Sequence, residues 1–216
     1  MQNLEQHIEH TLLKQDAQKE ELEKLFEEAK KYRFKGVCVN PCNVKFAKES
    51  LKDTEVNIVT VIGFPLGANV SEVKAFETKL AIQDGADEID MVINVSALKN
   101  GDYDLVKDDV KKVKAACGTH PLKVILETDL LEKDEIKKAC ELCVEAKADF
   151  VKTSTGFVKN GVGAKVEDVE LMYKTVSPYG LKVKASGGIR DKEKALQMLN
   201  AGAERLGTSS GVAIVS

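Results

Sequence analysis

Three ionisable residues sit where their neighbours give no reason for a charge. Asp90 interrupts EIDMVIN (88–94), Lys152 interrupts DFVKTST (149–155) and Lys184 interrupts LKVKASG (181–187). A parallel strand covered on both faces should read as a nearly continuous apolar run. A neutral lysine amine can attack a carbonyl carbon and form a Schiff base, and a nearby carboxylic acid can move protons. If Lys152 and Lys184 point inward from successive strands, about 4.8 Å apart, their like charges disfavour double protonation, so one amine gives up its proton more readily. A lone lysine in a strand is ordinarily solvated, with its stem along apolar surface. Three coincident exceptions outweigh that reading. Glu127, at the end of LKVILET (122–128), is a further inward candidate, either to orient a lysine or to react. Lys123 and Lys182 open their strands, so both are expected on a solvated rim.

Two small-residue turns add a second kind of chemistry. Ser186-Gly187-Gly188-Ile189-Arg190 and Gly207-Thr208-Ser209-Ser210-Gly211 each follow a strand pattern and precede a helix pattern. Glycine lets backbone N–H groups approach an anion, and helix starts carry unpaired donors. Either turn alone could be an ordinary connection with a serine cap. Their pairing on the last two units favours a phosphorylated small molecule, and Thr155-Gly156 after the sixth strand offers another donor. No G-x-G-x-x-G follows the first strand, so a dinucleotide is not implied. His7, His10 and His120 are too scattered to suggest a metal, and no cofactor is expected.

These residues need a scaffold, and the chain alternates two periodicities from end to end. Strand patterns fall at 10–13, 36–40, 57–63, 88–94, 122–128, 149–155, 181–187 and 204–209. Helical patterns such as KEELEKLFEEAKKY and DLVKDDVKKVKAAC lie between them. Eight units in 216 residues leave about 27 residues each, enough for a βα unit. The segments 85–90, 147–152 and 202–207 share one shape, a helix end, a turn and a strand, and put Asp90 and Lys152 at the same place in the repeat. Gly85 and Gly202 suit the left-handed position after a helix. With no linker between units, the predicted fold is an α/β, single-domain (β/α)8 TIM barrel over residues 1–216, with the candidate residues at the C-terminal ends of its strands.

Composition narrows the partners. Hydrophobic residues make up 43% of the chain, ample for a core, which excludes a disordered protein. The net charge of −3 comes from interleaved Lys and Glu without a basic stripe, so no nucleic acid partner is expected. The longest uncharged stretch, 56–71, is broken by Gly63, Pro65 and Gly67, so no membrane span is expected, and the N-terminus lacks a signal-peptide pattern. Both observations favour the expectation of a cytoplasmic protein. The five cysteines are odd in number, and Cys140 and Cys143 fall on one face of a charged helix, as buried thiols do.

The motifs IEHTLL (8–13), GVCVNP (36–41), VIGFPLG (61–67), DEIDMVIN (87–94), KVILET (123–128), DFVKTSTGF (149–157), KASGGIR (184–190) and GTSSG (207–211) together resemble the deoxyribose-phosphate aldolase family. Each is weak alone; DFVKTSTGF followed by KASGGIR is highly specific. The resemblance implies a class I, metal-independent aldolase that cleaves 2-deoxy-D-ribose 5-phosphate reversibly to D-glyceraldehyde 3-phosphate and acetaldehyde. It implies Lys152 as the Schiff-base lysine, Lys184 as the lysine that tunes it, and Asp90 as a proton-relaying acid. It also implies phosphate contacts at Gly156, Gly187, Gly188, Ser209 and Ser210, and a homo-oligomer, dimer or tetramer. Two departures stand out. Glu9 replaces the aspartate common in short members, and Phe157 stands where longer members carry a basic residue, which shifts phosphate binding toward Arg190 and backbone donors. The residues 211–216 leave room for one or two helical turns, so a short final helix or a trimmed end is expected, without the long C-terminal tail of longer relatives. Two other functions fit the residues less well. A phosphosugar isomerase using Asp90 or Glu127 needs no adjacent lysine pair, and a non-catalytic phosphosugar-binding barrel needs no paired acid.

Overall fold

A computed structural model describes residues 3–216. Strands β1 (Ile8–Leu12), β2 (Gly36–Val39), β3 (Asn57–Ile62), β4 (Glu88–Val92), β5 (Leu122–Ile125), β6 (Phe150–Lys152), β7 (Lys182–Ser186) and β8 (Ala203–Thr208) form one closed parallel barrel in sequence order. β1 pairs with both β2 and β8, so no strand edge is left open. The predicted (β/α)8 TIM barrel is what the chain forms.

Helices surround it: α1 (Lys19–Tyr32), α2 (Val44–Ser50), α3 (Ser71–Gln83), α4 (Val95–Lys99), α5 (Tyr103–Cys117), α6 (Lys133–Glu145), α7 (Val166–Val176), α8 (Lys192–Asn200) and α9 (Gly211–Val215). Their ends are set locally. Glu21 and Glu135 close capping boxes on α1 and α6, and the carboxylates of Asp102 and Asp191 accept N–H bonds at the starts of α5 and α8. After α3, α6 and α8 the repeated turn puts Gly85, Lys147 and Gly202 at positive φ, the left-handed step read from the repeat. α9 runs to Val215, next to the last residue of the sequence.

The first strand differs from expectation: β1 begins at Ile8, two residues before the predicted 10–13. A glutamate and a histidine looked too polar for a strand, but Glu9 and His10 are both buried, one on each face of β1. Cys140 and Cys143 lie buried in α6, and burial pushes the Cys143 thiol up to about 12. No described helix is long and apolar enough to cross a membrane.

The apolar core has two parts. A large layer between sheet and helices runs through Ile89, Met91, Leu122, Val124, Val151 and Leu206 to Phe26, Val110, Ile136 and Met172. A small separate cluster of Leu13, Cys38, Val59 and Val61, with Phe64 against it, fills one side of the interior. The other side of the interior is charged.

Candidate active site

Alternation along β4 sends Ile89 and Met91 outward and Glu88 and Asp90 inward. Asp90 is fully buried and is the hub of the interior. Its Oδ2 accepts hydrogen bonds from Lys152 Nζ at 2.8 Å and Lys184 Nζ at 2.7 Å. Its Oδ1 accepts one from Lys123 Nζ at 2.9 Å. Lys184 also pairs with Glu9, and Lys123 lies 2.6 Å from Glu88 Oε2 and 3.6 Å from Glu9 Oε1. Arg205 Nε flanks Glu9 Oε1 at 3.8 Å. Three lysines thus face three carboxylates in a buried space, where pairing is what makes buried charge tolerable. Gly207 makes room for this: a Cβ there would stand 3.0 Å from both Lys184 Cε and Ser186 Cβ.

Electrostatics fix the protonation of most members. Burial opposes the charge on Asp90, but Lys123, Lys152 and Lys184 outweigh it and hold the carboxyl well below the usual aspartate range. Burial likewise opposes the charges of Lys184 and Lys123, and Asp90 with Glu9 overcomes it, so both are held above the ordinary lysine value. Carboxylate partners differ in number: three lie within 4 Å of Lys123, two of Lys184, and Asp90 alone of Lys152.

The structure therefore brings Asp90, Lys152 and Lys184 together, and corrects two neighbours. Lys123 is not on a solvated rim; it is fully buried beneath Asp90. Its place as second residue of β5 suggested the rim, but in a staggered barrel pairing sets the level, and Lys123 lies opposite Asp90 in the β4–β5 register. Lys182 is exposed as expected, 3.2 Å from Glu204. Glu127 lies beyond β5 and orients no lysine. Its carboxylate accepts the Thr155 N–H at 3.0 Å and the Thr155 hydroxyl, clamping the turn after β6. Burial raises its pKa, which those two donors partly offset.

Above the lysines, at the C-terminal ends of the strands, opens a cavity of ≈ 640 Å³, of a size for a small ligand. Gly156, Gly187, Gly188, Arg190, Gly207 and Ser209 line it, and of the three lysines around Asp90 only Lys152 does. Ser210 stands outside that lining, and its N–H donates to Thr208 Oγ1 at 2.9 Å. Phe157, half exposed on the wall, meets Phe64 edge-on with ring centroids 5.1 Å apart. Lys14 and Asp16, from the loop after β1, complete the rim and were not anticipated. Neither was Asp129, whose carboxylate accepts the N–H groups of Val162 (3.2 Å) and Gly163 (2.8 Å). That loop in turn presses on the Gly187 turn, where Ala164 N–H donates to Gly187 O at 3.0 Å. The histidines are apart from one another: His7 meets Glu204 O, His10 meets Glu28 and His120 meets Asp87 O.

Residues 3–215 match the family described as DeoC/LacD family aldolase. The chain belongs to that family. A deoxyribose-phosphate aldolase of Streptococcus suis (strain 98HAH33) is 58% identical over 213 residues, 99% of this chain and 96% of that protein. One from Exiguobacterium sp. (strain ATCC BAA-1283 / AT1b) is 57% identical over 214 residues, with 99% and 96% covered. Among solved structures, the tetrameric deoxyribose phosphate aldolase from Aeropyrum pernix superposes with a TM-score of 0.90 at 34% identity, covering 98% of this chain and 89% of that one. The resemblance carried by DFVKTSTGF and KASGGIR is thereby borne out. In this DeoC/LacD-family barrel, both motifs end at the mouth of one cavity.

Proposed function

We propose that this chain is a class I deoxyribose-phosphate aldolase, cleaving 2-deoxy-D-ribose 5-phosphate reversibly to D-glyceraldehyde 3-phosphate and acetaldehyde through a Schiff base on Lys152. One observation carries the choice of lysine: of three buried amines joined to Asp90, only Lys152 opens on the cavity. Names of relatives at 57–58% identity support the substrate.

The reaction begins when Lys152 passes its proton toward Asp90 Oδ2 and its free amine adds to the C1 aldehyde. Loss of water from the carbinolamine leaves a protonated imine. The C3 hydroxyl then gives up its proton, the C2–C3 bond breaks, and its electron pair moves into the imine to form an enamine. C3 leaves as the aldehyde of glyceraldehyde 3-phosphate. Protonation of the enamine carbon restores an iminium ion, and water releases acetaldehyde and the amine. Lys184, an ammonium on Asp90, and Asp90 itself form the relay for these protons. No metal or organic cofactor is required at any step. Gly156, Gly187, Gly188, Gly207 and Ser209 with Arg190 take the phosphate at the other end of the cavity, and Ser210, outside the lining, braces that turn through Thr208. The whole chain acts as one cytoplasmic aldolase domain in a homo-oligomer.

The test is to incubate the protein with acetaldehyde and borohydride and map the product by mass spectrometry. A two-carbon adduct on Lys152 is expected. Its absence, or undiminished activity in Lys152→Ala, overturns the reading.

A further inference from the structure

The reaction above uses Asp90, Lys152 and Lys184, and leaves Lys123 without a task. Lys123 is fully buried and lies outside the cavity lining, so it cannot touch substrate. Keeping an ammonium at that depth is costly, and an apolar side chain of similar volume would pack there without the desolvation. Its contacts divide the Asp90 carboxylate in two: Oδ1 goes to Lys123 at 2.9 Å, and Oδ2 to Lys152 and Lys184. Lys123 is itself braced by Glu88 Oε2 at 2.6 Å, and Glu88 Oε1 accepts from Asn57 Nδ2 at 2.9 Å. A chain of partners thus runs from β3 through β4 and β5 to the underside of Asp90.

We propose that Lys123 is a positioning residue for the aldolase reaction: it ties down Asp90 Oδ1 from below, so that Oδ2 alone faces the reacting amine and its neighbour. The inference rests on the aldolase reading above. With Oδ1 held, the carboxylate cannot turn without breaking an ion pair, and Oδ2 stays aimed at the two amines while protons pass over it. Other charged or titratable groups face this pair from the surrounding strands: Glu9 from β1, Cys38 from β2, Glu88 from β4, Lys152 from β6, Lys184 from β7 and Arg205 from β8. Glu88 and Glu9 engage Lys123 without reaching Asp90. After burial, Lys123 is the largest influence on the ionisation of Asp90.

Two variants test the role, Lys123→Gln and the charge-balanced pair Lys123→Met with Glu88→Gln. In either, acetaldehyde still traps on Lys152 under borohydride. KM stays within about threefold, and kcat falls on the order of 10²-fold, as for loss of proton transfer. Deuterium exchange into the methyl group of acetaldehyde slows in step. In protein carrying ¹³C-carboxyl aspartate, with Asp90→Asn assigning the signal, the Asp90 resonance of the wild type is flat from pH 7 to about 4, and in the variants it titrates inside that window. A folded variant with wild-type kcat and a flat Asp90 resonance overturns the proposal. Should neither variant fold, Lys123→Arg, which keeps the charge, is expected to hold kcat near wild type, and titration of the wild-type Asp90 resonance above about pH 4 overturns the proposal. Failure of the aldolase reading is distinct, because wild-type protein then traps no acetaldehyde.

Discussion

On the outer face of the sheet stand Ile89, Met91, Leu122, Val124 and Val151; on its inner face, one residue away along the same strands, stand Glu88, Asp90, Lys123 and Lys152. Both sets are buried, yet they do opposite things. The outer set joins a continuous apolar layer with the helices, where each square ångström removed from water contributes roughly 25 cal/mol to stability. The inner set holds charges that are tolerated because each has a partner, and the proposed reaction draws its amine from them. Even the interior is divided, since Cys38, Val59 and Val61 on β2 and β3 fill their side with apolar bulk as barrels ordinarily do. The period-two alternation of a strand lets one short segment serve stability on one face and chemistry on the other.

That contrast can be broken from either face. The largest effect is expected for Asp90→Asn, which leaves three ammonium groups around a neutral amide. Turnover should fall on the order of 10²–10⁴-fold, and urea melts should show a loss of roughly 3–5 kcal/mol. Lys184→Leu comes next: turnover drops on the order of 10²-fold while circular dichroism reports a retained fold. Wild-type turnover in that variant refutes the tuning role of Lys184. From the outer face, Ile89→Ala should cost about 2–5 kcal/mol of stability and leave kcat per folded molecule unchanged. A large fall in kcat there would mean that the two faces are not separable.

The gentlest probe is pH. Asp90 has a folded pKa below its unfolded value of about 3.9, so its stabilisation is fully present above that value and is lost as pH falls toward the folded one. Lys184 and Lys123 are raised above about 10.4; their contribution is complete below it and is lost as pH rises through their folded values. Thermal melts should therefore lose interior stability below about pH 4 and above about pH 10, and Asp90→Asn should flatten the acid side.

Eight alternating units, the turn after each repeat, and three charges in strand-like runs were legible in the chain itself, because periodicity and a misplaced charge are local signals. The DFVKTSTGF and KASGGIR motifs placed Lys152 and Lys184 on neighbouring strands for the same reason. Glu9 was visible only as a departure from a motif, since a strand opening Ile-Glu-His hides its burial until the barrel closes. Lys123 misled outright: nothing local separates a lysine on a solvated rim from one that strand pairing sets opposite Asp90. Glu127 read as an inward acid at a strand end and Asp129 drew no reading, because their task of clamping the turns after β6 exists only once those turns lie beside them.

The sequence by itself determined the alternation, the number of strands and the identity of the amines, all consequences of residue type along one dimension. The tertiary structure decided which lysine opens on the cavity and which lie sealed beneath it, and how one carboxylate is shared among three cations. The reason is physical. The ionisation and reach of a buried charge depend on neighbours brought in by strand register and barrel stagger, and those neighbours come from β1, β4, β5, β6 and β7, up to 175 residues apart in the chain.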